Sequence, residues 1–184
     1  MRHPLLNVIT ECYVDTNLVR TLLNAGKVNH QHACSKVCRT MDRRFNDTFA
    51  VGIIDDDKRK PYDKAYTTLA HASHLTLMKR PATPHYLIII SKAAEDFILS
   101  CAAERGIDMQ DYDLPRDMES LKKVTKNVTS DDDNRLKRLF KALEKATEMS
   151  RLKTILEYLA DKEYECDDDK LKSLFRDTPA QTAG

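Results

Sequence analysis

A chain of 184 residues with 41% hydrophobic and 32% charged side chains is long enough for one packed domain with an appended segment, and too apolar to be disordered. Thirty Lys and Arg stand against 29 Asp and Glu, so a formal net charge of +1 excludes a chain-wide basic surface, and a polyanion would have to meet a local patch or bound cations. Four Gly and six Pro argue against collagen-like, linker-rich and turn-rich all-β architectures.

The apolar run from Asn7 to Cys12 is too short for a helix and reads as a strand. Val14, Leu18, Val19 and Leu22 then recur at helical spacing, with Gly26 as the expected terminator. Residues 29 to 45 place Ala33, Val37 and Met41 four apart and predict a second helix. Phe49–Ile54 is the next strand, stopping at Asp55-Asp56-Asp57. Pro61 sits where a helix could begin, and the reading for Tyr62–Ala72 is helical, with Ala65, Leu69 and Ala70 inward. Leu75–Met78 is a strand, and Pro81 and Pro84 make a turn. His85–Ser91 is apolar on both faces, as a central strand covered by helices requires, and a helix from Ala93 to Glu104 ends at Gly106.

This alternation predicts an α/β fold, a parallel-type sheet with helices on both faces, over residues 5–107. From 108 to 176 strand signals vanish, and four charged, helix-prone stretches follow (Asp113–Asn127, Asp131–Met149, Arg151–Lys162 and Asp167–Arg176). Leu136, Leu139, Phe140 and Leu143 form one apolar stripe, and Leu152, Ile155, Leu156 and Leu159 another. The expectation is an all-helical extension packed on the sheet or on a partner, with a disordered tail over 177–184.

Acidic residues sit where the strands end. Glu11 closes the first strand, Asp55 to Asp57 the second, and Glu95 and Asp96 follow the most apolar one. In open α/β sheets ligands bind beyond the carboxyl ends of the strands. Clustered carboxylates repel unless a cation neutralises them, and oxygen ligands suit Mg²⁺ or Mn²⁺. Simpler roles exist for each residue: Glu11 or Asp15 could cap the Val14 helix, Asp55 to Asp57 could form a solvated loop, and Glu95 could complement its helix dipole. The run Lys58-Arg59-Lys60 could contact a phosphate backbone or balance the neighbouring acids, and Lys92 could reach a scissile phosphate. His30, Cys34 and Cys38 fall on one predicted helix face, but spread over about 12 Å they are too far apart for one zinc ion.

The strand ending in Glu11 and the later strand ending in Asp55-x-Asp57, 44 residues on, resemble the TOPRIM domain of topoisomerases, primases and several nucleases. The segment Ile88 to Leu99, with Glu95 before an aromatic and aliphatic run, is similar to the third acidic element of OLD-type nucleases and of small defence proteins. The resemblance covers roughly residues 5 to 105. It implies Glu11 as general base or metal ligand, Asp55 and Asp57 as metal ligands, Glu95 as an extra ligand, and Mg²⁺ or Mn²⁺ as cofactor. It also implies hydrolysis of nucleic-acid phosphodiesters, as by an effector of an anti-phage or mobile-element system. A protein partner or second copy would be held by the helical segment.

Haloacid-dehalogenase chemistry needs Thr where Arg59 stands, and a receiver domain needs an acidic pair where Glu11 is followed by Cys12. A non-catalytic docking or regulatory module with a degenerate metal site is the alternative from another class. No apolar run is long enough to span a membrane, no signal-peptide stretch precedes Glu11, and five scattered cysteines suit reduced thiols; the expected setting is cytoplasmic.

Overall fold

The computed structural model describes residues 4–56, 62 and 64–176. Six strands form one sheet: β1 (Pro4–Thr10), β2 (Lys27–His30), β3 (Ala50–Asp55), β4 (Thr67–His71), β5 (Leu75–Lys79) and β6 (His85–Ile90). The strand order is β2-β1-β3-β6-β5-β4. β1 pairs in parallel with β2 and β3, and β3 pairs in parallel with β6. The helices are α1 (Tyr13–Leu22), α2 (Cys34–Arg44), α3 (Ala94–Arg105), α4 (Met118–Thr125), α5 (Asn134–Leu143), α6 (Thr147–Lys162) and α7 (Asp168–Arg176).

Period-two alternation divides the strands between two cores. Val8, Val51, Ile53, Tyr86, Ile88 and Ile90 face α1, α3 and the C-terminal helices, while Ile9, Ala50, Ile54, Leu87 and Ile89 face α2. Both faces are covered, which is why β3 and β6 read as nearly unbroken apolar runs. Gly52 lies on the α2 side. A Cβ there would stand 2.5 Å from Leu87 Cδ2 and 2.9 Å from both Met41 Sδ and Val37 Cγ1. Gly52→Ala is therefore expected to force α2 outward and to cost about 1–3 kcal/mol, measurable by urea denaturation.

The helical segment shares its core with the sheet. The α5 and α6 stripes are at most 1% exposed, and they join one cluster with β1, β3, β5 and β6. Asn17 of α1 ties the two parts together, its amide donating to the carbonyls of Ser130 (2.8 Å) and Asp133 (3.1 Å). Both apolar stripes are thus used inside the chain. Among the described residues no helix is long and apolar enough to cross a membrane.

Several sequence expectations shift. Residues 67–71 are a strand, not a helix. The connections from β4 to β5 and from β5 to β6 are short, so those pairs are antiparallel, and the sheet is mixed. Only paired neighbours reveal Thr67, Thr68 and Leu69 as extended, since Leu69 and Ala70 also satisfy a helical stripe. The predicted helix at 29–45 loses its start to β2, a four-residue edge strand in which Val28 is the one buried side chain. Helix α1 ends before Gly26, and Asn24 takes the left-handed conformation (φ 49°). Gly106 caps α3 as expected, at φ 61°. The Asp113–Asn127 stretch contributes only Met118–Thr125 as α-helix, and the next break falls at 144–146, ahead of α6, not near residue 150.

Candidate functional site

Chain direction creates the site. From β1 the chain crosses by α1 to β2 on one side, whereas β3 leads toward β6 on the other, and α1 and α2 cover opposite faces. The carboxyl ends of β1 and β3 therefore flank a topological switch point, where such sheets open a crevice. Glu11 follows β1 and Asp55 ends β3. The backbone N–H of Asp55 donates to Glu11 Oε2 (3.1 Å), and that of Glu11 donates to the Ile53 carbonyl (3.0 Å). The two acids are thus fixed to each other by the parallel ladder.

Two further carboxylates complete the group. Glu95, in the first turn of α3, is 6% exposed, and the Thr125 hydroxyl at the end of α4 donates to its Oε1. Asp15, in the first turn of α1, is fully buried. Neither of its oxygens makes a hydrogen bond of normal geometry, although the Cys12 thiol and backbone approach them. Asp55 Oδ1 is likewise buried without a partner. Burial, then Asp15, Glu11 and Glu95, push the Asp55 carboxyl up to about 9. Burial raises Asp15 to about 7, with Glu11 and Glu95 adding to the rise and Cys12 opposing it. Four acids thus meet at one strand-end crevice, and burial with mutual repulsion opposes their full ionisation.

Glu11, Asp55 and Glu95 open into a cleft of about 340 Å³ lined also by Tyr13, His30, His32, Lys122 and Lys126, while Asp15 stays enclosed behind it. The rings of Tyr13, His30 and His32 form a mutual cluster, with centroids 4.3 Å (Tyr13–His30), 4.6 Å (His30–His32) and 5.7 Å (Tyr13–His32) apart. Burial, then the neighbouring His32, hold the His30 imidazole below its usual range and so keep it neutral near pH 7.

Of the residues singled out in the sequence, Glu11, Asp55 and Glu95 come together. Asp57 and the run Lys58, Arg59 and Lys60 lie outside the described residues. Lys92 is at the margin: in the left-handed region (φ 67°), with a side chain 76% exposed, it pairs with Asp96 (3.6 Å) and does not line the cleft. Asp15 faces the other acids, and Cys12 occupies the N-cap position of α1 without a side-chain cap, so the capping role is not what Asp15 serves. The helix face expected to carry His30, Cys34 and Cys38 does not exist: His30 ends β2, while the two cysteines are buried on α2 against the opposite side of the sheet. Sequence reasoning missed Tyr13, Lys122, Thr125 and Lys126, and it weighed His30 and His32 only as zinc candidates, not as part of this cleft. His30 enters through the register Thr10↔His30, which only strand pairing defines.

The donor set is rich in carboxylate oxygens, as hard divalent ions prefer. Among the described residues, however, no three His, Cys, Asp or Glu side chains are arranged to hold one ion. Comparison with family models, curated proteins and solved structures finds no match.

Proposed function

We propose that this chain is a divalent-metal-dependent nuclease of TOPRIM type, hydrolysing nucleic-acid phosphodiester bonds. The observation that carries the reading is the meeting of Glu11, Asp55, Glu95 and fully buried Asp15 at the switch point between β1 and β3. Buried, mutually repelling carboxylates cost stability, and a site that keeps them gains most from a cation. The orphaned oxygens of Asp15 and Asp55 support a fit to Mg²⁺ or Mn²⁺.

Glu11, Asp55 and Glu95 would have to close in from their present positions to share one ion, the TOPRIM resemblance would add Asp57 as a ligand, and Asp15 would stay buried beside them. A bound Mg²⁺ or Mn²⁺ would supply water activation and charge stabilisation at the phosphate. The protein itself contributes a fixed Glu11–Asp55 geometry, a Thr125 hydroxyl that orients Glu95, and Lys122 and Lys126 as counter-charges for a phosphate in the cleft. Placement in an anti-phage or mobile-element system would follow from the TOPRIM resemblance alone. The docking-module reading is disfavoured by the burial of both apolar helical stripes, which leaves neither free for a partner.

The test is incubation of the full chain with single-stranded and duplex oligonucleotides in Mg²⁺ or Mn²⁺. Cleavage that requires metal and disappears in Glu11→Gln is the expected result. A wild-type protein inert toward all of these substrates in both metals would overturn the reading.

A further inference from the structure

A second cleft, of about 540 Å³, runs along the outer edge of the sheet and shares His30 with the acidic one. Its cations come from three elements: Lys27 of β2, Arg20 of α1 and Arg44 of α2, with Asp131 as the one acid among its lining residues. Arg20 is already engaged, donating to the Asp131 carbonyl (3.2 Å) and pairing with Asp132 (3.4 Å), so it forms a fixed wall. Lys27 and Arg44 are exposed and enter no ion pair among the described residues. A basic groove therefore leads to the acids past a cluster of three rings.

We propose that this composite surface binds single-stranded nucleic acid. The backbone lies along the β2 edge against Lys27 and Arg44, and one unstacked base packs on the Tyr13–His30–His32 cluster, so that the adjoining phosphate reaches the carboxylates between Lys122 and Lys126. The inference rests on the nuclease reading for the identity of that phosphate site. Arg44 stacks over the Phe45 ring (5.7 Å), yet like Lys27 it keeps its charge unneutralised, which is what a phosphate backbone requires, and aromatic faces hold bases without regard to sequence. The inner cleft, at about 340 Å³, is near the lower end of ligand-pocket volumes and admits a nucleotide but not a duplex. In a duplex each base is already stacked on its neighbours and offers the rings no free face.

Fluorescence anisotropy of the full chain, with Ca²⁺ to neutralise the acids, tests this. The probes are a labelled single-stranded DNA 12-mer, its RNA counterpart, the blunt DNA duplex and an abasic single strand. Either single strand should bind at least about tenfold more tightly than the duplex or the abasic strand. Tyr13→Ala should weaken single-strand binding about tenfold, while Tyr13→Phe keeps it. Lys27→Glu/Arg44→Glu, at exposed positions, should lower the slope of log K against log salt by about 1.4, two phosphate contacts on a single strand. Equal affinity for duplex and single strand, indifference to the missing bases, or an unchanged salt slope would overturn the proposal. Failure of the nuclease reading is distinguishable: the strand would be bound in this way and yet remain uncut by the wild-type protein in Mg²⁺ or Mn²⁺.

Discussion

Asp55→Asn is expected to raise the melting temperature of the metal-free protein and to abolish its response to Mn²⁺. Asp55 is held up to about 9 by burial and by Asp15, Glu11 and Glu95, so its charged form is the one the fold opposes. The folded protein must therefore keep a proton there that the unfolded chain has released at neutral pH, and an amide of the same shape avoids that cost. Mn²⁺ at about a hundred times its dissociation constant would stabilise the wild type by about 2.7 kcal/mol. For a chain of this length that is a rise of about 5–10 °C. The variant should start higher and stay flat, and its cleavage rate should fall at least about 100-fold, since even outer-shell changes at metal sites cost 10- to 100-fold. Differential scanning calorimetry with EDTA and with Mn²⁺ reads the first two effects. A variant less stable than wild type in EDTA, with an undiminished Mn²⁺ shift, would remove Asp55 from the site.

The stability of the metal-free protein should fall as the pH rises from about 5 to 9. Asp55, at about 9, and Asp15, at about 7, are raised above the ordinary value of 3.8. The folded state therefore keeps protons that the unfolded state has released. Stability from this source is complete below about pH 4 and is lost as the pH passes through the folded values. His30 acts in the opposite sense: burial and His32 lower it, so its contribution is present above its ordinary 6.5 and lost on acidification. Asp108, held down to about 2 by Arg116, supports the fold above 3.8 and loses that effect only in stronger acid. Glu11, Glu95, Cys12, Lys122 and Lys126 face the same space. Each net proton corresponds to about 1.4 kcal/mol per pH unit, so urea denaturation in EDTA should show a decline on the order of 1 kcal/mol per unit. Saturating Mn²⁺ should flatten the curve, because the ion competes with the protons. A metal-free protein more stable at pH 8.5 than at pH 5.5 would contradict the buried acid cluster.

The sequence by itself determined the layered α/β fold, most strands and helices, and three of the four clustered acids. Those features are local: β3 and β6 are apolar on both faces, α5 and α6 carry unambiguous stripes, and Glu11, Asp55 and Glu95 end or follow such segments. The tertiary structure decided the rest. Strand β2 has a single buried apolar residue, and its extended form depends on pairing with β1, so no periodicity betrays it. Strand β4 carries residues compatible with a helix, and the short loop to β5 settles the matter by making the pair antiparallel. Asp15 looks like an ordinary first-turn acid until α1 is laid against the sheet and its carboxyl is enclosed beside Asp55. Thr125, Lys122 and Lys126 lie about a hundred residues beyond Glu11 and reach the cleft only because the helical segment folds back onto the sheet. A residue's own segment sets its periodicity. Its burial, charge environment and neighbours across the cleft are set by segments distant in sequence, which is why the cleft walls were legible only in three dimensions.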